Sequence, residues 1–199
     1  MSILDEFIST LQMAETSGRM SLQQTLDLIL AKARRHTVAE AGSIFVIEEE
    51  EGEPVLKAYS LQNDRVNMDQ TLFSIPVNTK SIAGYVATTG EVLEIDDLYE
   101  LSPEMPFTFN RSFDDRNGYR STSILVFPLK NFQGKMIGVV QLLNHIAGVD
   151  DLGTPTYEPF PMMYVDDMKN VMSILGAMVE RTALLQEIAT LKKRLGDVV

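Results

Sequence analysis

The adjacent carboxylates Asp96–Asp97 and Asp114–Asp115 and the two histidines, His36 and His145, are the side chains best suited to metal or acid–base chemistry. Paired acids can hold a cation or share a proton, and histidine titrates near neutral pH. Both acid pairs sit in a stretch of acids, prolines and asparagines, where such pairs also serve as turn formers or solvated groups. His36 closes the run Arg34–Arg35–His36, which suits a helix C-terminus, and His145 has no evident partner ligand for a metal or haem. The acidic run Glu48–Glu51 reads as a solvated turn rather than a calcium site. Cysteine is absent. That excludes disulfides, thiolate metal sites, cysteine nucleophiles and thioether-linked chromophores. The chain also lacks a Gly-x-Ser-x-Gly elbow, a Walker phosphate loop, a His-Glu-x-x-His pair and a protein-kinase signature. Catalysis by this chain alone is not expected.

The 199 residues, 45% hydrophobic and 23% charged, suit one domain with a helical extension. No apolar run reaches the length of about 18 residues that a membrane span needs, and the N-terminus MSILDEF is acidic, unlike a signal peptide. A cytoplasmic location is the expectation. The net charge of −11 disfavours nucleic acid and anionic lipid as partners. An anionic ligand must then be met by local backbone donors rather than by the overall field.

The elements that position these residues follow from periodicity. Residues 2–17 read as a helix, with Ser2 and Asp5 as a capping box, an apolar face of Ile3, Leu4, Phe7, Ile8 and Leu11, and Gly18 as its stop. Ser21 with Gln24 starts a second helix, whose buried stripe is Leu22, Leu26, Ile29, Leu30 and Ala33. Ile44–Ile47 and Val55–Leu61 read as strands around a turn ending in Gly52, and Leu72–Val77 as a third strand. Ser81–Thr89 reads as a short helix closed by Gly90, and Val92–Ile95 as a short strand. Residues 96–120 have no sustained period and read as a long excursion with one helical turn, of the kind that carries function. Thr122–Lys130 and Lys135–Asn144 form the strongest hairpin pattern, and 145–160 reads as a loop. From Pro161 to Leu195 the pattern is helical, with a heptad seam of Ile174, Ala177, Arg181, Leu184, Ile188, Leu191 and Leu195. Leu175, Met178 and Val179 are placed to pack on the sheet, and Met162, Met163 and Met168 to fill gaps beneath the helix. The fold class is α+β, with a mainly antiparallel sheet.

Two segments carry a family resemblance. The run from Ser81 to Tyr99, SIAGYVATTGEVLEIDDLY, resembles the ligand-covering helix of GAF domains. Gly118–Lys130, with Gly134 and Ile137–Asn144, resembles the two central strands of that family, and Ala41–Val46 fits upstream. Within that family the chain looks most like the GAF domains of cyclic-nucleotide phosphodiesterases and adenylyl cyclases. It implies a six-stranded antiparallel sheet with the N-terminal helices and the long C-terminal helix on one face and a ligand pocket on the other. By position, Ser43 and Tyr59 would approach a purine, and Ile82 and Ala83 would offer backbone N–H groups to a cyclic phosphate. Asn110, Asp114, Asn117 and Ser121 would come from the closing segment, and Gln141 from the last central strand, unless that side chain points to the solvated face. Gly84, Gly90 and Gly138 serve either the ligand or simply turns and close packing. The chain departs from its cyclic-nucleotide-binding relatives in several places. Tyr59–Ser60 stands where an aromatic–aspartate pair can occur, and Gln141 where a glutamate can. The structural lock of the relatives is kept at Asn144, with His145 in place of lysine, Met162 in place of phenylalanine, and Asp166–Asp167 as the acids; His145 would meet Asp166.

The organisation expected from this resemblance is a helix over 1–20, a GAF domain over 21–180 and a signalling coiled coil over 181–199. The coiled coil would lead to an output domain of kinase, cyclase or phosphodiesterase type. No catalytic or metal site and no fixed cofactor is expected; the resemblance implies a pocket for a cyclic nucleotide, cAMP or cGMP, or for a similar small ligand. The chain would form a homodimer through its terminal helices. The alternative is a ligand-free scaffold that dimerises or binds a partner.

Overall fold

Ser21 begins a helix by a reciprocal cap: its hydroxyl accepts from the Gln24 backbone at 3.2 Å, and its own N–H donates to the Gln24 side chain at 2.9 Å. The helix that follows, α1 (Leu22–Thr37), buries Leu22, Leu26, Ile29, Leu30 and Ala33. The computed structural model describes residues 5–9, 12, 21–68 and 73–196. Within the first of these ranges the chain is helical and Phe7 is buried; Ser2, Gly18 and Leu72 lie outside the described residues.

Strand β1 (Ala39–Glu50) and strand β2 (Glu53–Asn63) form a hairpin closed by Glu51 and Gly52, both with positive φ (54° and 84°). Two such residues match the right-handed twist of the flanking strands. The acidic run expected as a turn is therefore mostly strand. Then come β3 (Ser74–Pro76), helix α2 (Ile82–Thr89), β4 (Leu93–Ile95), a 3-10 turn (Leu98–Glu100) and helix α3 (Ser112–Asn117). Next are β5 (Ile124–Lys130), β6 (Met136–Val149), β7 (Pro155–Glu158) and helix α4 (Met162–Gly196).

The sheet is antiparallel throughout, in the order β3-β2-β1-β6-β5-β4, with β7 added to β6 as a seventh strand. Residues 145–160 are thus not a loop. β6 runs on to Val149, and β7 pairs with that extension around a turn in which Asp150 accepts from Leu152 (2.9 Å) and Thr154 (2.8 Å). Glycines and acids on either side of the turn hide the strand pattern in the sequence.

Alternation along the central strands sends neighbours to opposite faces. Ile44, Leu125 and Val140 join α1 and α4 in one core. Phe45, Val126 and Val139 join α2 in another. Helix α4 lies very close to the end of β5: a Cβ on Gly176 would sit 2.0 Å from the Lys130 carbonyl oxygen. Val165, Met168, Val171, Met172, Leu175, Met178 and Val179 form its buried stripe, whereas Met162 and Met163 point outward, each 64% exposed. Of the three methionines expected beneath the helix, only Met168 is there.

Because the carbonyl at Lys130 is backbone and cannot swing away, Gly176→Ala is expected to lower stability by about 1–3 kcal/mol. Urea unfolding measures this, and an unchanged midpoint would contradict the close approach.

Candidate ligand cavity and its closing segment

A cavity of about 470 Å³ lies on the sheet face opposite α1 and α4. Its floor comes from Ser43 and Phe45 on β1, Leu61 on β2 and Gln141 on β6. The start of α2 supplies Ile82 and Ala83, and the closing segment supplies Phe109, Asn110, Phe113, Asp114, Tyr119 and Ser121. The walls are mainly apolar with a few convergent polar groups, a composition typical of small-molecule sites.

The α2 start is capped by Ser81, whose hydroxyl accepts from the Gly84 N–H at 3.1 Å. Thr108 forms an isolated parallel bridge with Ser81, so the closing segment crosses the helix beginning, with the Thr108 N–H 3.0 Å from the Lys80 carbonyl. The Ser43 hydroxyl donates to Gln141 Oε1 at 3.1 Å. That bond joins two strands on the cavity floor and fixes the orientation of the Gln141 amide.

Asp114 is buried and fully occupied by its own segment. It accepts from Tyr99 Oη at 2.9 Å, from the Ser121 N–H at 2.7 Å and from the Ser121 hydroxyl at 2.9 Å. Asp114 and Ser121, both expected to meet a ligand, thus line the cavity while tying α3 to the segment that follows it. Asn110 is at the exposed rim, where its side chain caps Ser112. Tyr99 is flanked by the guanidinium groups of Arg111 (4.3 Å) and Arg120 (4.2 Å).

Two of the expected site residues are not brought to the cavity. Asn117 is exposed and donates to the Phe113 carbonyl at 2.8 Å. Tyr59 lies on the helix side of the sheet and donates to Glu48. The cause is a β-bulge: Ile44 pairs with Ser60 and Phe45 with Ala58, leaving Tyr59 unpaired. The extra residue re-aims a side chain that simple alternation would have placed otherwise. Burial and the bond to Glu48 push the Tyr59 phenol up to about 12.

The lock is arranged differently from the expectation. Asn144 adopts the left-handed conformation (φ 58°), which asparagine tolerates. It accepts from the Thr122 N–H at 2.6 Å and donates to Arg120 O, Tyr119 Oη and Glu40 Oε2 at 2.9, 2.9 and 3.1 Å. His145 does not meet Asp166. Its Nδ1 lies 2.9 Å from the Thr37 carbonyl, and its ring packs on Phe160 (5.4 Å) and Tyr164 (5.6 Å). Asp166 is exposed beside Lys169, 3.4 Å away, while His36 meets Asp167 at 2.8 Å. Successive helix residues are about 100° apart, so only one of two adjacent acids on α4 can face α1. Phe160, rather than Met162, supplies the aromatic contact.

The group that the sequence reading missed is Glu40, only 1% exposed at the start of β1. Its carboxylate accepts from Tyr119 Oη at 2.7 Å, from Asn144 and from Tyr157 on β7, with Arg65 Nε at 4.0 Å. A lone acid inside the small apolar run Ala39–Gly42 was the available signal, since charges are rarely buried without partners.

Burial, followed by the bond to Glu40, pushes the pKa of both the Tyr119 and Tyr157 phenols up, so both resist ionisation in the folded state. A phenol held protonated in the folded state stabilises the fold fully below its unfolded value, near 10.0, and that stability is lost as pH climbs toward the folded value. Stability is therefore expected to be flat from neutral pH to about 9.5 and to fall above about 10. Urea midpoints across that range measure the fall, and Tyr119→Phe should make it shallower; an identical slope in the variant would refute the assignment.

A family model described as "GAF domain" matches residues 21–176. A probable 3′,5′-cyclic phosphodiesterase of Caenorhabditis elegans is 29% identical over 138 residues, which is 65% of this chain and 18% of that protein. The chain thus spans less than a fifth of the length of that relative. Among solved structures, a methyl-accepting chemotaxis protein fragment is similar at TM-score 0.63 and 16% identity, covering 92% of this chain and 98% of that one. The A. aeolicus nlh2 GAF domain in an inactive state is similar at TM-score 0.62 and 16% identity, covering 89% and 93%. At these identities the structural likenesses establish the fold.

Proposed function

The chain belongs to the GAF domain family, and on that premise we propose that it is a regulatory, small-molecule-sensing domain of a larger signalling protein rather than an enzyme. Its ligand is a cyclic nucleotide or a molecule of similar size. The observation that carries this reading is the cavity of about 470 Å³ between the sheet and the closing segment, within the ~300–1,000 Å³ usual for small-molecule sites. The Ser43–Gln141 pair is available on its floor to read a polar edge. The α2 start is available to an anion, as helix N-termini generally are. The likeness to a probable cyclic phosphodiesterase favours the nucleotide class and an output domain of kinase, cyclase or phosphodiesterase type.

The sensing state is passed on, in this reading, by α4 in a homodimer. Beyond its packed stripe the helix carries exposed Leu184, Leu185, Ile188 and Leu191, a heptad-like series that a second copy would cover. A ligand shifts such a device only by binding one state better than the other.

A ligand-free scaffold is the second reading. It is favoured by the satisfaction of Asp114 within the closing segment and by the mutual bond of Ser43 and Gln141.

Thermal unfolding with cAMP, cGMP and cyclic di-GMP separates the two. A ligand present at about a hundred times its dissociation constant should raise the midpoint by roughly 5–10 °C, and Gln141→Ala should abolish the rise. No shift with any of the three would favour the scaffold. The dimer is checked by light scattering at high micromolar concentration. Twice the mass of one chain is expected, reduced to a single mass by Ile188→Asp; a monomeric parent would defeat it.

A further inference from the structure

Tyr119 spans two environments. Its ring lines the cavity and meets Phe113 edge-on at 5.8 Å, while its hydroxyl leaves the cavity and reaches Glu40 Oε2 at 2.7 Å. The other oxygen of that carboxylate accepts from Tyr157 on β7. From β7 the chain passes through Phe160 to Tyr164 in the first turn of α4, and both rings pack on His145. We propose that Glu40 is a positioning residue that couples the closing segment of the cavity to β7 and so to the start of α4.

The physical basis is a buried charge with few alternatives. Glu40 is 1% exposed, and the nearest cationic nitrogen, on Arg65, is 4.0 Å away. Its carboxylate depends on Tyr119, Tyr157 and Asn144 for donors. The backbone holds the residue in place, since the Glu40 carbonyl accepts from Arg34 at 2.5 Å and from the Asp64 N–H at 3.1 Å. When Tyr119 moves, the carboxylate cannot follow it and is left short of a donor while still buried. Hydrogen bonds to charged groups are the stronger class, and an unsatisfied buried acceptor is more costly still. The remaining donors must then rearrange, and Tyr157 is the one that leads to α4. Glu40 is thus the acceptor that the hydroxyls of the closing segment and of β7 share. The proposal rests on the sensing reading only for the identity of the stimulus; the coupling itself requires no ligand.

The test is amide hydrogen exchange without ligand in four proteins: the parent, Tyr119→Phe, Tyr157→Phe and the double variant. Each single change should speed exchange about ten-fold in both 112–121 and 155–165. The double variant should fall short of the product of the singles, because both hydroxyls serve one carboxylate. Amides of 44–50 in the β1–β2 hairpin should keep their parental rates. In a Glu40→Gln background, which keeps the shape and removes the charge, Tyr119→Phe should no longer affect 155–165. Acceleration confined to the segment that carries the substitution, multiplicative effects in the double variant, or equal acceleration in the hairpin would each overturn the proposal. Nucleotide binding does not enter these readouts, so loss of the sensing reading and loss of the coupling are separate results.

Discussion

A carboxylate taken out of water must be satisfied by its surroundings, and Glu40 places that demand at the point where five parts of the chain converge. β1 supplies the acid, β6 supplies Asn144, the closing segment supplies Tyr119, β7 supplies Tyr157, and the turn after β2 supplies Arg65. Buried charges are tolerated only where donors are fixed in place. Here the fixing is mutual: Asn144 adopts a left-handed backbone and, from that position, also holds Thr122 and Arg120 at the end of the closing segment. Of the donors that satisfy the acid, Tyr119 also lines the cavity.

The sheet divides the remaining work between its two faces. One face is filled by α1 and α4 as a continuous apolar core, with Gly176 allowing α4 to approach the end of β5. The other face is only partly filled by α2 and the closing segment, and the unfilled part is the cavity. An antiparallel sheet with one face committed to packing leaves its second face free for such use. The central strands need side chains of both kinds in strict alternation, which explains the pairs Ile44/Phe45, Leu125/Val126 and Val139/Val140.

Much of this was legible in the residues. The capping box at Ser21, the long terminal helix, the apolar hairpin of β5 and β6 and the short helix closed by Gly90 are local signals, decided by near neighbours in the chain. The excursion over 96–120 was legible as an excursion because it has no period, although its two helical turns needed the fold around them. Ser43, Ile82, Ala83, Asp114, Ser121 and Gln141 were reached through a family pattern, and they do converge on one cavity.

What the sequence could not decide by itself were pairings between distant residues. The bulge that turns Tyr59 away from the cavity exists only in the register between β1 and β2. β7 is a strand only because β6 extends to receive it. The choice of Asp167 over Asp166 depends on how α4 is rotated against α1. Glu40 is an acid in an apolar run until Tyr119 and Tyr157, 79 and 117 positions away, come to meet it. The chain alone determined most of the elements and their buried faces, β7 and the far end of β6 excepted, since helix and strand periods are set by local geometry. The tertiary structure decided register, helix rotation and which acid is buried, because those depend on partners that only folding brings within hydrogen-bonding distance.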